Sequence, residues 1–439
     1  MSGQQQKQYI VQPGGKLTGE CRVPGDKSIS HRSIMLGAIA EGTTNVTGFL
    51  EGEDALATLS AFRKMGVEIE GPEQGRVTVH GVGMYGLKLP EDAIDLGNSG
   101  TSIRLLCGLL AGQNFNTVLK GDSSLAKRPM GRVIDPLAKM GAVIGSNEGK
   151  LPLHVQGGNT LFAIAYELPM ASAQVKSCLL LAGMYAKGKT TIVEPAPTRD
   201  HSERMLAGMS YPIEVEGNKI TIEGEGKLIA TDVDVPADIS SATFFMVGAA
   251  IAPGSDITLR HVGVNPTRLG VINILKMMGA DITLSNEKVT GGEPVADIRV
   301  RYAPLKGIDI PVEQVPLAID EFPALFIAAA CAEGQTVLTG AKELRVKESD
   351  RIQAMSDGLA TLGIDAQATD EGMVIEGGVM GSGEVDSLGD HRIAMAFAIA
   401  GLQAGGTIVI KDCANVATSF PNFVELATTA GLVLDEIDG

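Results

Sequence analysis

The chain has 439 residues, enough for about three average domains. It carries a formal net charge of -16, with 4% aromatic residues and no Trp. Such a surface repels nucleic acid and anionic membranes and offers few platforms for stacking bases. The five cysteines are odd in number, far apart and lack any C-x-x-C pair, which reads as reduced thiols of a cytoplasmic protein. The six histidines show no H-E-x-x-H or Cys/His spacing, so no metal site is expected. The polar head has no signal-peptide core, and the longest apolar runs, such as residues 242–252, are too short to span a bilayer.

In chain order, the first informative stretch is Pro24-Gly25-Asp26-Lys27-Ser28-Ile29-Ser30-His31-Arg32-Ser33. A Pro-Gly breaker precedes polar residues able to cap a helix, and an apolar run continues it. Lys27, Ser28 and Arg32 are thereby placed in or just before the first turn. Free backbone N–H groups and the positive end of the helix dipole lie there. Cations at that end cost stability unless an anion occupies the site, so the stretch is a candidate anion site; solvated surface charge is the plain alternative.

The same pattern recurs six times. A polar start leads into a small-residue apolar helix, a glycine, a β-like run, a second helix and a further β-like run. The first-helix glycines are Gly42, Gly112, Gly188, Gly254, Gly334 and Gly405, 66 to 80 residues apart. The second helices end at Met65-Gly66, Met140-Gly141, Met209-Ser210, Met278-Gly279, Leu362-Gly363 and Ala430-Gly431; the third copy has lost its glycine. Six β/α units fit either an open solenoid, which would need capping repeats that the sequence does not show, or two closed domains of three units each. In the closed form, residues 24–235 make an inserted domain. Residues 1–23 and 236–439 make a discontinuous one, with the N-terminal strand completing it. The look-alike joints Val23-Pro24-Gly25 and Val235-Pro236-Ala237-Asp238 mark the two crossings.

Polar residues gather at the helix starts of these units. The second unit opens with Gly97-Asn98-Ser99-Gly100-Thr101-Ser102-Ile103-Arg104, a turn able to present N–H groups to a phosphate, and later has Lys127-Arg128-Pro129. The third starts Ser172-Ala173-Gln174-Val175-Lys176-Ser177 and carries Thr198-Arg199-Asp200-His201. The fifth has Asp320-Glu321 and Arg345-Val346-Lys347-Glu348-Ser349-Asp350-Arg351, and the sixth Gly389-Asp390-His391-Arg392. Singly, each motif reads as an ordinary turn, cap or salt-bridged helix start. Their recurrence at equivalent points selects a substrate, or two, rich in phosphate and carboxylate. Asp320 and Glu348, set among those cations, are candidate proton-transfer groups.

At these motifs the chain resembles the 5-enolpyruvylshikimate-3-phosphate synthase family, over residues 11–436. The resemblance implies an α/β, two-domain enolpyruvyl-transferase-like fold. Each domain would hold three βαβαββ units, with the active site in the interdomain cleft. It implies transfer of the enolpyruvyl group of phosphoenolpyruvate to the 5-hydroxyl of shikimate 3-phosphate. The reaction passes through a tetrahedral intermediate, releases phosphate and needs no cofactor. The motifs carry over shikimate 3-phosphate contacts to Lys27, Ser28, Arg32, Ser172, Ala173 (through its backbone), Gln174, Arg199, Asp320 and Lys347. Phosphoenolpyruvate contacts fall on Lys27, Asn98, Gly100, Thr101, Arg128, Gln174, Glu348, Arg351 and Arg392. Asp320 and Glu348 take the proton-transfer roles, and Lys27 bridges both substrates. A cytoplasmic monomer with small-molecule substrates and no nucleic-acid or membrane partner is expected.

The chain mixes two branches of that family. Ser172-Ala173-Gln174, Thr198-Arg199-Asp200-His201 and Ala417-Thr418-Ser419-Phe420-Pro421 resemble class II, and Thr418 stands where class I usually has Lys. Gly100, however, is typical of class I, which predicts sensitivity to glyphosate. Gly100 either leaves room for a close ligand or only permits a left-handed turn. The sister transferase acting on UDP-N-acetylglucosamine carries a reactive Cys in the loop at residues 121–131, where this chain has none. A non-catalytic repeat scaffold has no need of clustered cations, and an RNA-end-modifying relative sits badly with the net charge.

Overall fold

A computed structural model describes residues 7–438 and divides the chain into two compact units. One comprises residues 25–235 with 290–293; the other comprises residues up to 24, 236–289 and 294 onward. The first unit contains helices α1 (Lys27–Ile39), α2 (Glu53–Lys64), α3 (Gly100–Ala111), α4 (Gly131–Lys139), α5 (Ala173–Gly183) and α6 (His201–Gly208). The second contains α7 (Ile239–Ile251), α8 (Gly270–Met277), α9 (Phe322–Ala330), α10 (Arg351–Thr361), α11 (His391–Ala400) and α12 (Phe423–Ala430).

Odd and even helices differ in kind. The odd-numbered ones are built of Ala, Gly, Ser and aliphatic residues and are buried on nearly every face; every residue of α7 and α9 is buried. Small side chains let such helices pack closely, as α3 does on α5 and α9 on α7 and α11. The even-numbered ones bury one face and keep charged residues on the other; α2 buries Ala55, Leu59 and Phe62 and exposes Arg63 and Lys64. Each unit has its own apolar core.

One sheet pattern repeats. In the second unit of repetition, Ile94–Asp95 runs parallel to Thr117–Lys120, which pairs antiparallel with Lys150–Gln156, which pairs antiparallel with Val143–Asn147. Strand Lys150–Gln156 alternates exposed and buried residues along its length, as a sheet with one dry face requires. The first sheet takes its parallel edge from Val233–Asp234, at the far end of the same unit of structure. Thr18–Cys21 supplies that edge for Asp256–Gly263, and Lys7–Gly15 lies between Ile408–Lys411 and Leu432–Asp438. The N-terminal segment therefore fills the strand place that the sixth repeat lacks.

The glycine markers have two different physical roles. The first helices end one to five residues before the glycine expected to stop them, because a short turn intervenes before the strand. After the second helices the left-handed position is kept in all six copies: Gly66, Gly141, Gly279, Gly363 and Gly431 have φ of 84°, 95°, 98°, 83° and 121°. Ser210, the copy without glycine, adopts φ 63° all the same. The turn is thus dictated by the repeat and Ser210 bears its strain. Ser210→Gly should raise stability by about 1 kcal/mol, read as a higher urea midpoint at unchanged slope.

Candidate active site

In the unit formed by residues 25–235, Asp26 caps α1 by accepting from the Ile29 N–H at 2.9 Å. Lys27 is the first helical residue, and its ammonium pairs with the buried carboxylate of Asp54 in the first turn of α2. Arg32 falls in the second turn, not the first, and reaches back so that Nη1 donates to the Ser28 carbonyl at 2.9 Å. Its Nε donates to Ser202 Oγ and its Nη2 to Ser177 Oγ, both at 2.7 Å. The side chain is buried, yet it makes no ion pair among the described residues. Burial, with Arg199 adding to it, pulls this guanidinium down to about 10, and the more distant carboxylates of Glu203 and Asp26 offset only part of the effect. A buried cation held by neutral oxygens is a site for an anion.

A second group surrounds the start of α3, which Ser99 caps by accepting from the Ser102 N–H. Asn98 donates to Asp122 and accepts from Arg128 Nη2, each at 2.7 Å. Arg104 donates to Gln174 Oε1 at 2.8 Å, and Gln174 donates to Thr101 Oγ1 at 3.2 Å. Ser172 caps α5, and Ala173 is its first residue, so its N–H is one of the helix's free donors. A Cβ on Gly100 would lie 2.8 Å from Arg104 Nη1 and 3.2 Å from Arg128 Nη1. The left-handed residue of this turn is Gly97, with φ 56°, and Gly100 has no positive φ. The turn reading of Gly100 is therefore excluded: the missing Cβ makes room for two guanidinium groups.

In the other unit, Arg351 opens α10 with its side chain 1% exposed. Nε donates to Asp390 at 2.8 Å, Nη2 to Glu348 at 2.6 Å, and Nη1 lies 3.4 Å from Asp320. Burial opposes the charge, but Asp390, Glu348 and Asp320 outweigh it and hold Arg351 firmly protonated. Lys347 bridges Asp320 at 3.3 Å and Glu343 at 2.7 Å, and these two likewise overcome its burial and raise its basicity. Arg392 donates to the Asp320 carbonyl at 3.0 Å, while Asp390 caps α11 through the Arg392 N–H. Asp320, Lys347, Glu348, Arg351 and Arg392 thus form one connected network. Thr418 is buried with its hydroxyl on the Asn415 carbonyl, so it does not stand in for a lysine.

Asp54, Asp122, Glu194 and Glu203 escaped the sequence reading. Each lies in an ordinary acidic or amphipathic stretch, and only its partner in space, a cation for Asp54, Glu194 and Glu203 and the Asn98 amide for Asp122, gives it meaning. Among the described residues, the group that brings three metal-donor side chains together is Glu68, Glu70 and His80, on the exposed face of a hairpin. Removing Arg351 would leave the buried Asp390 and the partly buried Asp320 and Glu348 without the cation they share. Arg351→Gln should therefore cost about 3–5 kcal/mol in urea unfolding, and Arg351→Lys should restore part of it as a point charge.

The family model of EPSP synthase (3-phosphoshikimate 1-carboxyvinyltransferase) matches residues 11–426. A 3-phosphoshikimate 1-carboxyvinyltransferase of Methylococcus capsulatus is 67% identical over 97% of this chain and 98% of its own length. One from Nitrosococcus oceani is 66% identical over 97% and 96%. The crystal structure of EPSP synthase from Acinetobacter baumannii superposes with a TM-score of 0.90 at 60% identity, covering 98% of this chain and 100% of that one. The enolpyruvyl transferase NikO from Streptomyces tendae shares the fold at 16% identity, with a TM-score of 0.77 over 99% and 100%.

Proposed function

The chain belongs to the EPSP synthase family, and on that premise we propose how its residues carry out the family's reaction. The reaction transfers the enolpyruvyl group of phosphoenolpyruvate to the 5-hydroxyl of shikimate 3-phosphate, on the shikimate route to aromatic amino acids. A C–O bond forms at C2 of phosphoenolpyruvate, and the C2–O bond to phosphate breaks through the tetrahedral intermediate. Three proton movements accompany it: one leaves the 5-hydroxyl, one reaches the methylene carbon, and one leaves that carbon again.

Asp320 and Glu348 carry these protons, with Lys27 polarising the groups between which the bond forms. The observation that supports this reading is the sharing of one buried guanidinium, Arg351, by both carboxylates. Arg351 fixes their positions while Lys347 and Arg392 hold the Asp320 segment from two further sides. Shikimate 3-phosphate is bound through Lys27, Ser28, Arg32, Ser172, the Ala173 N–H, Gln174, Arg199, Asp320 and Lys347. Phosphoenolpyruvate is bound through Lys27, Asn98, Gly100, Thr101, Arg128, Gln174, Glu348, Arg351 and Arg392. No metal or cofactor takes part, and the enzyme works as a cytoplasmic monomer. No helix among the described residues is long and apolar enough to cross a membrane.

Inorganic phosphate should appear only when both substrates are supplied, at a rate indifferent to chelator. Equal turnover with UDP-N-acetylglucosamine as acceptor would refute the acceptor assignment. Glu348→Gln should lower kcat by roughly 10²-fold or more and weaken binding by less, as loss of a proton-transfer group does; a rise in KM alone would remove it from the chemistry.

Gly100 sets the response to glyphosate, which the family binds in place of phosphoenolpyruvate. A methyl there presses first on Arg104 and Arg128, and the longer ligand has less freedom to follow the displaced guanidinium. Gly100→Ala should weaken glyphosate by about 5- to 150-fold, the equivalent of roughly 1–3 kcal/mol of overpacking, and phosphoenolpyruvate by a smaller factor. An unchanged ratio of glyphosate Ki to phosphoenolpyruvate KM would contradict this.

A further inference from the structure

Next to Arg32 lies a buried charge cluster to which the reaction gives no role. Lys176 of α5 is 1% exposed, with Nζ 2.8 Å from Glu194 and 2.6 Å from Glu203 of α6, both also buried. The arrangement is layered. Ser177 and Ser202 hydrogen-bond each other at 2.8 Å and both accept from Arg32. Their chain neighbours Lys176 and Glu203 pair with each other. Glu194 also accepts the hydroxyl and, at 3.4 Å, the N–H of Thr198, the residue before Arg199.

This arrangement solves an electrostatic problem. Arg32 needs its charge unspent to take a substrate phosphate, and Glu203 is the carboxylate that acts on it most strongly. Burial pushes the Glu203 carboxyl up, with Lys176 as the main opposing influence, and its Oε2 has no hydrogen-bond partner. A carboxylate in that condition would otherwise take the nearest guanidinium. Glu194 is the second carboxylate that Lys176 holds.

We propose that Lys176 is a positioning residue for phosphate recognition: it occupies Glu194 and Glu203, so that Arg32 remains available to shikimate 3-phosphate. The proposal rests on the assignment of Arg32 to that substrate. With Lys176 absent, Glu203 turns to Arg32 and competes directly with the substrate's phosphate.

The test is steady-state kinetics on Lys176→Met, Glu203→Gln, their combination, and Arg32→Ala. Lys176→Met should raise KM for shikimate 3-phosphate roughly tenfold or more, with KM for phosphoenolpyruvate within about twofold. Adding Glu203→Gln to Lys176→Met should recover most of the loss, because the competing carboxylate is gone. Glu203→Gln alone keeps the Lys176–Glu194 pair and should leave KM for shikimate 3-phosphate equal or lower. That single variant decides the matter should Lys176→Met fail to fold, since a merely structural cluster would raise both KM values in it. A rise of both KM values together in Lys176→Met, or no recovery in the double variant, would overturn the proposal. If Arg32→Ala leaves KM for shikimate 3-phosphate unchanged, the assignment of Arg32 itself falls; if it raises that KM while Lys176→Met does not, only the role of Lys176 falls.

Discussion

A buried guanidinium must be compensated, and the two ways this chain does so organise everything around the candidate site. Arg351 is surrounded by Asp390, Glu348 and Asp320, so its charge is largely balanced inside the protein, and in the proposed reading it meets phosphoenolpyruvate as only one donor among several. It serves as a fixed post on which acidic side chains are hung in defined places. Arg32 is surrounded by two serine hydroxyls and a backbone carbonyl, so its charge is not spent. In the reading proposed above, the first arrangement positions groups that move protons and the second reserves a cation for an incoming phosphate. Desolvation makes the second costly in the empty protein and valuable in the liganded one.

The fold provides these places by repetition. Each copy ends a loop at the first turn of a helix, where capping residues such as Asp26, Ser99, Ser172 and Asp390 consume some of the free N–H groups and leave the rest. Helices α1, α3, α5, α7, α9 and α11 are built from small residues and are buried, so their starts are held rigidly by the packing behind them. Polar residues could be varied at these starts without disturbing the core.

Much of this was legible in the sequence because it depends on local pattern. The near-regular spacing of Met-Gly and Leu-Gly endings reports a left-handed helix terminus, and Ser210 shows that the backbone demand persists when the glycine is gone. The clustering of Lys27, Arg32, Arg128, Lys347, Arg351 and Arg392 at helix starts and turns was likewise visible as motif. What was not legible is the identity of the partners. Nothing in the neighbourhood of Asp54, Asp122 or Glu203 distinguishes it from other surface acids, and only the fold sets them beside Lys27, Asn98 and Lys176. The same limit explains Gly100, whose neighbours are two guanidinium groups that reach it across α3 and from a separate loop.

The distinction between spent and reserved cations is tested most directly by thermal unfolding of Arg32→Gln with and without shikimate 3-phosphate. Folding lowers the basicity of Arg32 from its ordinary value to about 10. The charged form is therefore disfavoured by folding at every pH below that value, on the order of 3 kcal/mol in the empty protein. Glutamine can keep a bond to the serine hydroxyls without the charge. The account predicts that Arg32→Gln melts at or above the wild-type temperature when empty and loses the upward shift that shikimate 3-phosphate gives the wild type. A variant that melts lower when empty, yet keeps the full ligand-induced shift, would contradict it.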